Sequence, residues 1–151
     1  MQKQLLIIGS VWPEPNSSAA GSRMLQLIVL FLNENYKIIF ASSAQDSEYR
    51  FPIEDLGIEI KSIALNDESF DVYIKELKPE LVLFDRFMTE EQYGWRVEKY
   101  SSNSVRIIDT EDLHCLRKAR QQAFIENRSF VQEDLNSDIA KREIASIYRS
   151  D

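Results

Sequence analysis

The chain contains a single cysteine, Cys115, in 151 residues. One cysteine cannot close an internal disulfide, which agrees with a reducing compartment. Long apolar runs are also missing: the longest, Met24–Leu32, is interrupted by Gln26 and falls far short of the roughly 20 residues that span a bilayer. The N-terminal Met1–Gln4 runs directly into a strand-like stretch, without the apolar region of a signal peptide. These absences predict a cytoplasmic protein.

Basic side chains are in short supply, with 18 Lys and Arg against 25 Asp and Glu and a net charge of −7. Because binding along a phosphate backbone needs a basic face, the sequence excludes nucleic acid as the main partner. The same acidity argues against strong contact with a membrane of anionic lipid. The one basic cluster, Arg117–Arg120, is typical of a solvated helix face.

Two phosphate-binding patterns are absent as well. Neither G-x-G-x-x-G nor G-x-x-x-x-G-K-[ST] occurs, and the whole chain has 4 glycines. In those patterns the glycines let the backbone turn closely around the phosphates of a nucleotide. The sequence therefore lacks the residues of a dinucleotide-binding or P-loop protein, and we expect no bound cofactor.

The sequence does contain an alternation of apolar runs with helical patterns, which is typical of a parallel sheet with crossover helices. Most of the runs are apolar at nearly every position, as expected for strands that are covered on both faces. The third run alternates between apolar and polar residues, which favours an edge strand. The predicted strands are Leu5–Ile8, Tyr36–Ala41, Ile58–Ile63, Leu81–Phe84 and Val105–Ile108.

Helical periodicity fills the connections, and two further helices follow the last strand. The predicted fold is therefore α/β: one Rossmann-like, three-layer domain over residues 1–151, with a parallel sheet of about five or more strands and extra C-terminal helices. The polar stretch between the second and third strands is expected to be a loop with a short helix. The predicted helices are Ala19–Asn33, Ser69–Leu77, Thr89–Tyr100, Leu113–Ile125 and Ser137–Tyr148.

Local sequence also predicts how some helices begin and pack. Ser17 or Ser18 is expected to cap the first helix, and Thr89 the third. The last helix carries an apolar stripe of the kind that normally docks on a domain, and that favours self-association if it stays exposed. Its residues are Ile139, Ile144, Ile147 and Tyr148.

In open parallel sheets, ligands bind beyond the carboxyl ends of the strands, and that rule selects four places. The first is the loop that precedes the first helix, with Asn16, Ser17, Ser18 and Gly21. A helix start of this kind can hold an anion or a sugar hydroxyl, and Gly21 permits a close approach to the first turn. The alternative is ordinary capping by serine without any ligand.

The second place is Asp85-Arg86, directly after the fourth strand. An adjacent acid and base at a strand end can bind hydroxyls or a phosphate. The alternative, which the sequence leaves equally open, is a local salt bridge that anchors the loop.

The third place is Asp109–His114, at the end of the last strand, where four ionisable side chains include the only histidine of the chain. Histidine suits proton transfer near neutral pH, and a neighbouring carboxylate would orient its ring. The spacing matches no standard metal site. The alternative is a helix start capped by Thr110 or Asp112. The fourth place is Arg117 with Arg120, which share a helix face and could reach a phosphate.

Several segments, taken in order, resemble the N-terminal domain of bacterial family 4 glycosyltransferases. The most specific segment is the one at the last strand, where the strand is followed by the sequence Asp-Thr-x-Asp-Leu-His and then by a helix that carries arginine. Two departures are that Asn35-Tyr36 stands where the family has a Gly-His pair, and that the first loop has no Gly-Gly pair. The matching segments are Leu5–Gly9, Ala20–Arg23, Asn35–Ala41 and Arg106–Arg117.

The resemblance implies a GT-B enzyme of two Rossmann-like domains that moves a sugar from a nucleotide-sugar to an acceptor hydroxyl, in polysaccharide or glycoconjugate synthesis. This chain would be the acceptor-side domain, and the donor-binding C-terminal domain would be its missing partner in cis. No catalytic metal is implied, and the nucleotide-sugar is a co-substrate held mainly by the other domain. The acceptor is a small molecule or a glycan.

The resemblance also assigns roles to residues. His114 would lie nearest the reacting centre, and Asp112 would orient it or its loop. Asp85 and Arg86 would line the floor of the cleft, and Arg117 would reach a phosphate. The segment Asn16–Ser18 and Gly21 would shape the acceptor side.

Two alternatives stay open. One is a stand-alone binding module of flavodoxin-like or response-regulator type, although such modules need acidic residues after the first strand and Gly9–Trp12 supplies none. The other is a non-catalytic interaction domain that forms a homodimer through its C-terminal helix.

Overall fold

A computed structural model describes residues 2–151. Its centre is a sheet of five parallel strands in the order β3-β2-β1-β4-β5, so the predicted α/β, Rossmann-like class is confirmed. The third strand lies at an edge with all four residues exposed, as its alternating pattern predicts. The strands are β1 (Gln4–Gly9), β2 (Lys37–Ser42), β3 (Glu59–Ser62), β4 (Leu81–Asp85) and β5 (Val105–Asp109).

Within residues 2–151 there are five α-helices, which cover both faces of the sheet and extend beyond its β5 edge. The first two have the predicted bounds. Two 3-10 helices, Ile53–Leu56 and Gln132–Leu135, complete the structure, and the former is the short helix expected between β2 and β3. The α-helices are α1 (Ala19–Asn33), α2 (Ser69–Leu77), α3 (Phe87–Tyr100), α4 (His114–Ile125) and α5 (Asp138–Arg149).

The three layers follow from the alternation of side chains along each strand. Leu5 and Ile7 of β1 face Met24 and Ile28 of α1 on one side of the sheet. The neighbours Leu6 and Ile8 face the other side, where α2 and α3 pack. Both sets are fully buried, which explains why this strand is apolar at every central position.

The start of α3 differs from the prediction. The helix begins at Phe87 and not at Thr89, and its N-cap residue is Arg86, which makes no capping bond with its side chain. The Thr89 hydroxyl instead donates back to the carbonyls of Asp85 (2.9 Å) and Arg86 (3.0 Å). The prediction of Thr89 as a cap is wrong because a local pattern cannot distinguish a capping hydroxyl from one that bonds within the first turn.

The apolar stripe predicted on the last helix does not dock. The buried positions of α5 are Ala140, Glu143 and Ser146, and its ion pairs with α3 are Arg149–Glu90 (2.6 Å) and Arg142–Glu91 (2.7 Å). The Ser146 hydroxyl donates to the carbonyl of Phe87 at 3.3 Å. Small and polar groups therefore attach α5, and three of the four stripe residues are exposed: Ile144, Ile147 and Tyr148.

No helix in residues 2–151 is both long enough and apolar enough to cross a bilayer.

Candidate functional site

A cavity opens at the carboxyl ends of β1 and β4, which are neighbours in the sheet. The chain leaves β1 toward β2 on one side and leaves β4 toward β5 on the other, so this is the switch point at which α/β sheets bind ligands. The switch-point cavity encloses about 120 Å³. It is lined by Val11, Trp12, Pro13, Glu14, Ser18, Ala20, Gly21, Met24, Asp85 and Arg86.

One wall of this cavity is the turn that leads into α1. The Glu14 carbonyl accepts hydrogen bonds from the amides of Ser17 (3.1 Å) and Ser18 (3.0 Å). Ser18 then caps α1 by accepting from the Gly21 amide at 3.0 Å, which confirms the predicted cap. A side chain at Gly21 would collide with the backbone of Glu14, so the close approach that this glycine permits is that of its own loop.

Asp85 forms the floor of the cavity, with only 9% of its side chain exposed. Burial raises the pKa of this carboxyl, and the nearby charges of Asp109 and Glu111 add to the rise. The guanidinium of Arg86, with Nε 3.6 Å from Oδ1, and the backbone amide of Ser10 oppose it. The fold thus keeps a poorly solvated carboxylate facing the cavity, where a ligand donor would stabilise it.

Two strained residues lie beside Asp85. Arg86 has φ 75° and ψ 159°, a conformation that is almost confined to glycine. Glu111 has φ 60°, in the left-handed region, and its carboxylate lies 3.2 Å from Arg86 Nε. Strained backbone persists where the surrounding fold enforces it, and it concentrates at functional sites. Positive φ also occurs at Asn35, Asn66, Lys78 and Asn127, so the feature of interest here is the glycine-like conformation of Arg86 beside the buried Asp85.

Every arginine at the mouth of the cavity has a carboxylate partner. Arg23 of α1 donates from Nε to Asp109 at 3.1 Å, and Arg117 of α4 donates to Asp112 at 2.6 Å. The hydrogen bond from Arg117 also lowers the pKa of Asp112. Arg86 lies 3.2 Å from the Glu111 carboxylate, but its buried Nε makes no hydrogen bond within residues 2–151, so it is the arginine at the mouth with donors still available.

The predicted catalytic pair is brought together, but neither His114 nor Asp112 lines the switch-point cavity. Its Nε2 is 3.5 Å from Asp112 Oδ1, and its Nδ1 is 3.6 Å from Glu143 Oε1. The ring is buried edge-on against Phe87, with centroids 5.6 Å apart. Nδ1 is buried without a hydrogen-bond partner in residues 2–151. Asp112 is the more accessible member, with 40% of its side chain exposed.

Sequence reasoning missed Glu143, which is 1% exposed and caps α4 from another helix. Its two carboxylate oxygens accept hydrogen bonds from the amides of His114 (2.9 Å) and Cys115 (2.8 Å). The N-cap residue of α4 is Leu113, so the predicted caps Thr110 and Asp112 are wrong. A cap supplied from 28 or 29 residues away leaves no local signal.

The residues predicted for the first loop are divided between two cavities. Ser18 and Gly21 line the switch-point cavity, whereas Asn16 and Ser17 line a wider one of about 340 Å³ on the far side of the turn. Arg120 is not part of either, and its guanidinium lies 5.7 Å from the ring centroid of Phe130. The second cavity, here the outer cavity, is lined by Pro15, Asn16, Ser17, Glu48, Tyr49, Arg50, Phe51 and Pro52.

In the part of the chain that the structure describes, no group of three or more His, Cys, Asp or Glu side chains is arranged to hold a metal ion. The absence of a cofactor and a catalytic metal stays a prediction.

Comparison with known proteins adds no relative: no protein-family model, curated protein or solved structure matches the chain.

Proposed function

We propose that this chain is the acceptor-side domain of a two-domain glycosyltransferase, which moves a sugar from a nucleotide-sugar to an acceptor hydroxyl in glycan or glycoconjugate synthesis. One observation carries the proposal: a nearly buried carboxylate, Asp85, faces a small cavity at the switch point of a parallel sheet. The sequence resemblance supplies the reaction class.

The chemistry of the switch-point cavity suits a sugar. Asp85 is poorly solvated, so a ligand hydroxyl that donates to it replaces a hydrogen bond that burial has removed. Val11, Trp12 and Met24 give an apolar wall for the carbon face of a ring. A largely apolar pocket with a few converging polar groups is the usual form of a small-molecule site.

The charges around the cavity favour a neutral acceptor over the donor diphosphate. Arg23 and Arg117 already donate hydrogen bonds to carboxylates, and Arg86 lies 3.2 Å from the Glu111 carboxylate, so a diphosphate would meet a carboxylate beside each arginine. In the proposed enzyme the diphosphate is bound and stabilised electrostatically by the second domain. His114 is proposed to act nearest the reacting centre between the two domains, and Asp112, 3.5 Å from its Nε2, to orient it or its loop.

Binding to the isolated chain tests the acceptor site. Trp12 lines the cavity, and Trp95→Phe removes a second tryptophan that is 48% exposed on α3. The fluorescence of this variant should change saturably with glucose, galactose or N-acetylglucosamine. Adding Asp85→Asn should weaken binding about tenfold or more, as for loss of a charge-assisted hydrogen bond.

Asp138→Asn is the matched control, because that carboxylate is 97% exposed at the start of α5. If no sugar changes the fluorescence, or if Asp85→Asn binds as well as its parent, the acceptor site is wrong. Reading the coding sequence after the Asp151 codon gives an independent test: a second α/β domain supports the enzyme, and an immediate stop codon removes the donor site.

The exposed stripe of α5 favours a second candidate, an interaction module without catalysis. Ile144, Ile147 and Tyr148 are 49%, 40% and 85% exposed and share one helix face. Sedimentation of the chain should then give a dimer that Ile147→Glu converts to monomer. A monomer at all concentrations would reject this candidate.

A further inference from the structure

Tyr49 is the exposed aromatic residue of the outer cavity, on the far side of the turn from the switch-point cavity. Its side chain is 69% exposed, although the loop around it is firmly anchored. The neighbouring Arg50 donates to Asp46 and Glu54, and the Phe51 amide donates to the Pro13 carbonyl at 2.8 Å. The anchored loop therefore presents an exposed aromatic ring at a fixed place on the backbone, as expected of a ligand platform.

The outer cavity combines this ring with polar groups. Asn16 and Glu48 bring an exposed amide and an exposed carboxylate to its rim, and Ser17 adds a hydroxyl. Phe51 and Pro52 contribute apolar surface. An aromatic ring beside hydrogen-bonding side chains matches the two surfaces of a sugar, which has an apolar ring face and a polar rim of hydroxyls.

The two cavities are neighbours on opposite sides of one turn. Arg50 lines the outer cavity, and its guanidinium lies 5.6 Å from the ring centroid of Trp12, which lines the switch-point cavity. The turn that separates them carries Ser17 on one side and Ser18 on the other. A ligand that extends across this turn would contact both.

The size of the switch-point cavity limits how much of a glycan acceptor it can hold. The switch-point cavity encloses about 120 Å³, whereas pockets that bury a whole drug-sized ligand are roughly 300–1,000 Å³. It therefore has room for about one sugar ring, and further units of a glycan must lie outside it. The outer cavity, with about 340 Å³, is one adjoining space that carries aromatic and polar side chains together, and it is the one with an exposed aromatic ring.

We propose that the outer cavity is a second sugar subsite, built around Tyr49, and that the acceptor is a glycan of at least two units. This inference rests on the proposed acceptor function and adds the class of the acceptor. It assigns Asn16 and Ser17 to the second unit and Asp85 to the first.

The test compares single sugars with their dimers on the full 151-residue chain. The single sugars are glucose and N-acetylglucosamine, and the dimers are maltose, cellobiose and chitobiose. Binding is measured from the backbone amide shifts in nuclear magnetic resonance. At least one dimer should bind roughly fivefold to tenfold more tightly than its monomer and shift the amides of both Gly21 and Tyr49. Tyr49→Ala should remove that advantage and leave the affinity for the monomer unchanged.

Two variants control for the ring and for general effects. Tyr49→Phe keeps the aromatic face and should keep most of the advantage, whereas Tyr148→Ala removes another exposed tyrosine, on α5, and should change nothing. If monomers shift only the switch-point cavity and dimers bind no better, the second subsite is wrong and the acceptor site stands. If no probe shifts either cavity, both proposals fall.

Discussion

At the scale of single residues, the carboxylate of Asp85 is poorly solvated because its side chain is only 9% exposed. Burial raises its pKa, so the folded chain keeps the proton to a higher pH than the unfolded chain does. Stability from this group is therefore fully present below the ordinary aspartate pKa, and is lost as pH rises through the raised value. We expect Asp85→Asn to raise the urea midpoint at pH 7 and to leave it almost unchanged near pH 3. An equal gain at both values would contradict this origin.

Glu143 should behave in the opposite way. Burial works to raise its pKa, but hydrogen bonds from Cys115 and His114 outweigh burial and lower it. Its contribution is thus present above the ordinary glutamate pKa and is lost as pH falls through the lowered value. In Glu143→Gln the side-chain NH2 group replaces one carboxylate oxygen, so one of the two backbone amides faces a donor in place of its acceptor. The free energy of unfolding at pH 7, measured in urea, should fall by about 1–3 kcal/mol. That deficit should shrink in acid, and a constant deficit would argue against a charged cap.

At the scale of elements, the start of α1 depends on one serine. Ser18 accepts from the Gly21 amide, while Ser17 bonds to Glu14 at the surface of the turn. Ser18→Ala should destabilise the protein by about 1 kcal/mol. Ser17→Ala is the matched control and should stay within about 0.5 kcal/mol. If thermal unfolding shows the same loss of stability in Ser18→Ala and Ser17→Ala, the Ser18 cap does not determine where this helix begins.

Sequence predicts elements best where their cause is local. The bounds of α1 and α2 follow from periodicity and flanking residues, and the three inner strands, β2, β1 and β4, follow from apolar runs. Prediction fails where a distant group decides. Glu143 replaces a local cap on α4, and α5 packs through the small or polar residues Ala140, Glu143 and Ser146, while its apolar stripe points outward.

The same limit applies to the candidate site. The strand-end rule placed Asp85, Arg86 and Asp112 at one edge of the sheet, and the structure brings them together there. It gave no indication that the turn after Glu14 divides the first loop between two cavities, because that division depends on how the turn packs against the distant loop at Phe51.

At the scale of the whole molecule, α5 is attached through unequal ion pairs. Glu90 is 3% exposed and depends on Arg149, whereas Glu91 is 24% exposed opposite Arg142. Arg149→Ala leaves a buried carboxylate short of donors and should cost about 1–3 kcal/mol. Arg142→Ala should cost within about 1 kcal/mol. Hydrogen exchange along α5 should rise mainly in the first variant, and similar rises in both would contradict this difference.

The strained backbone at Arg86 lowers thermal stability at a position whose side chain lines the candidate ligand site. A left-handed or extended positive-φ position is relieved by glycine, and such strain is worth about 1–3 kcal/mol. A population of variants selected only for survival at high temperature should therefore accumulate glycine at position 86. Selection for sugar binding should keep the arginine, which lines the switch-point cavity. The two kinds of selection should therefore favour different residues at position 86.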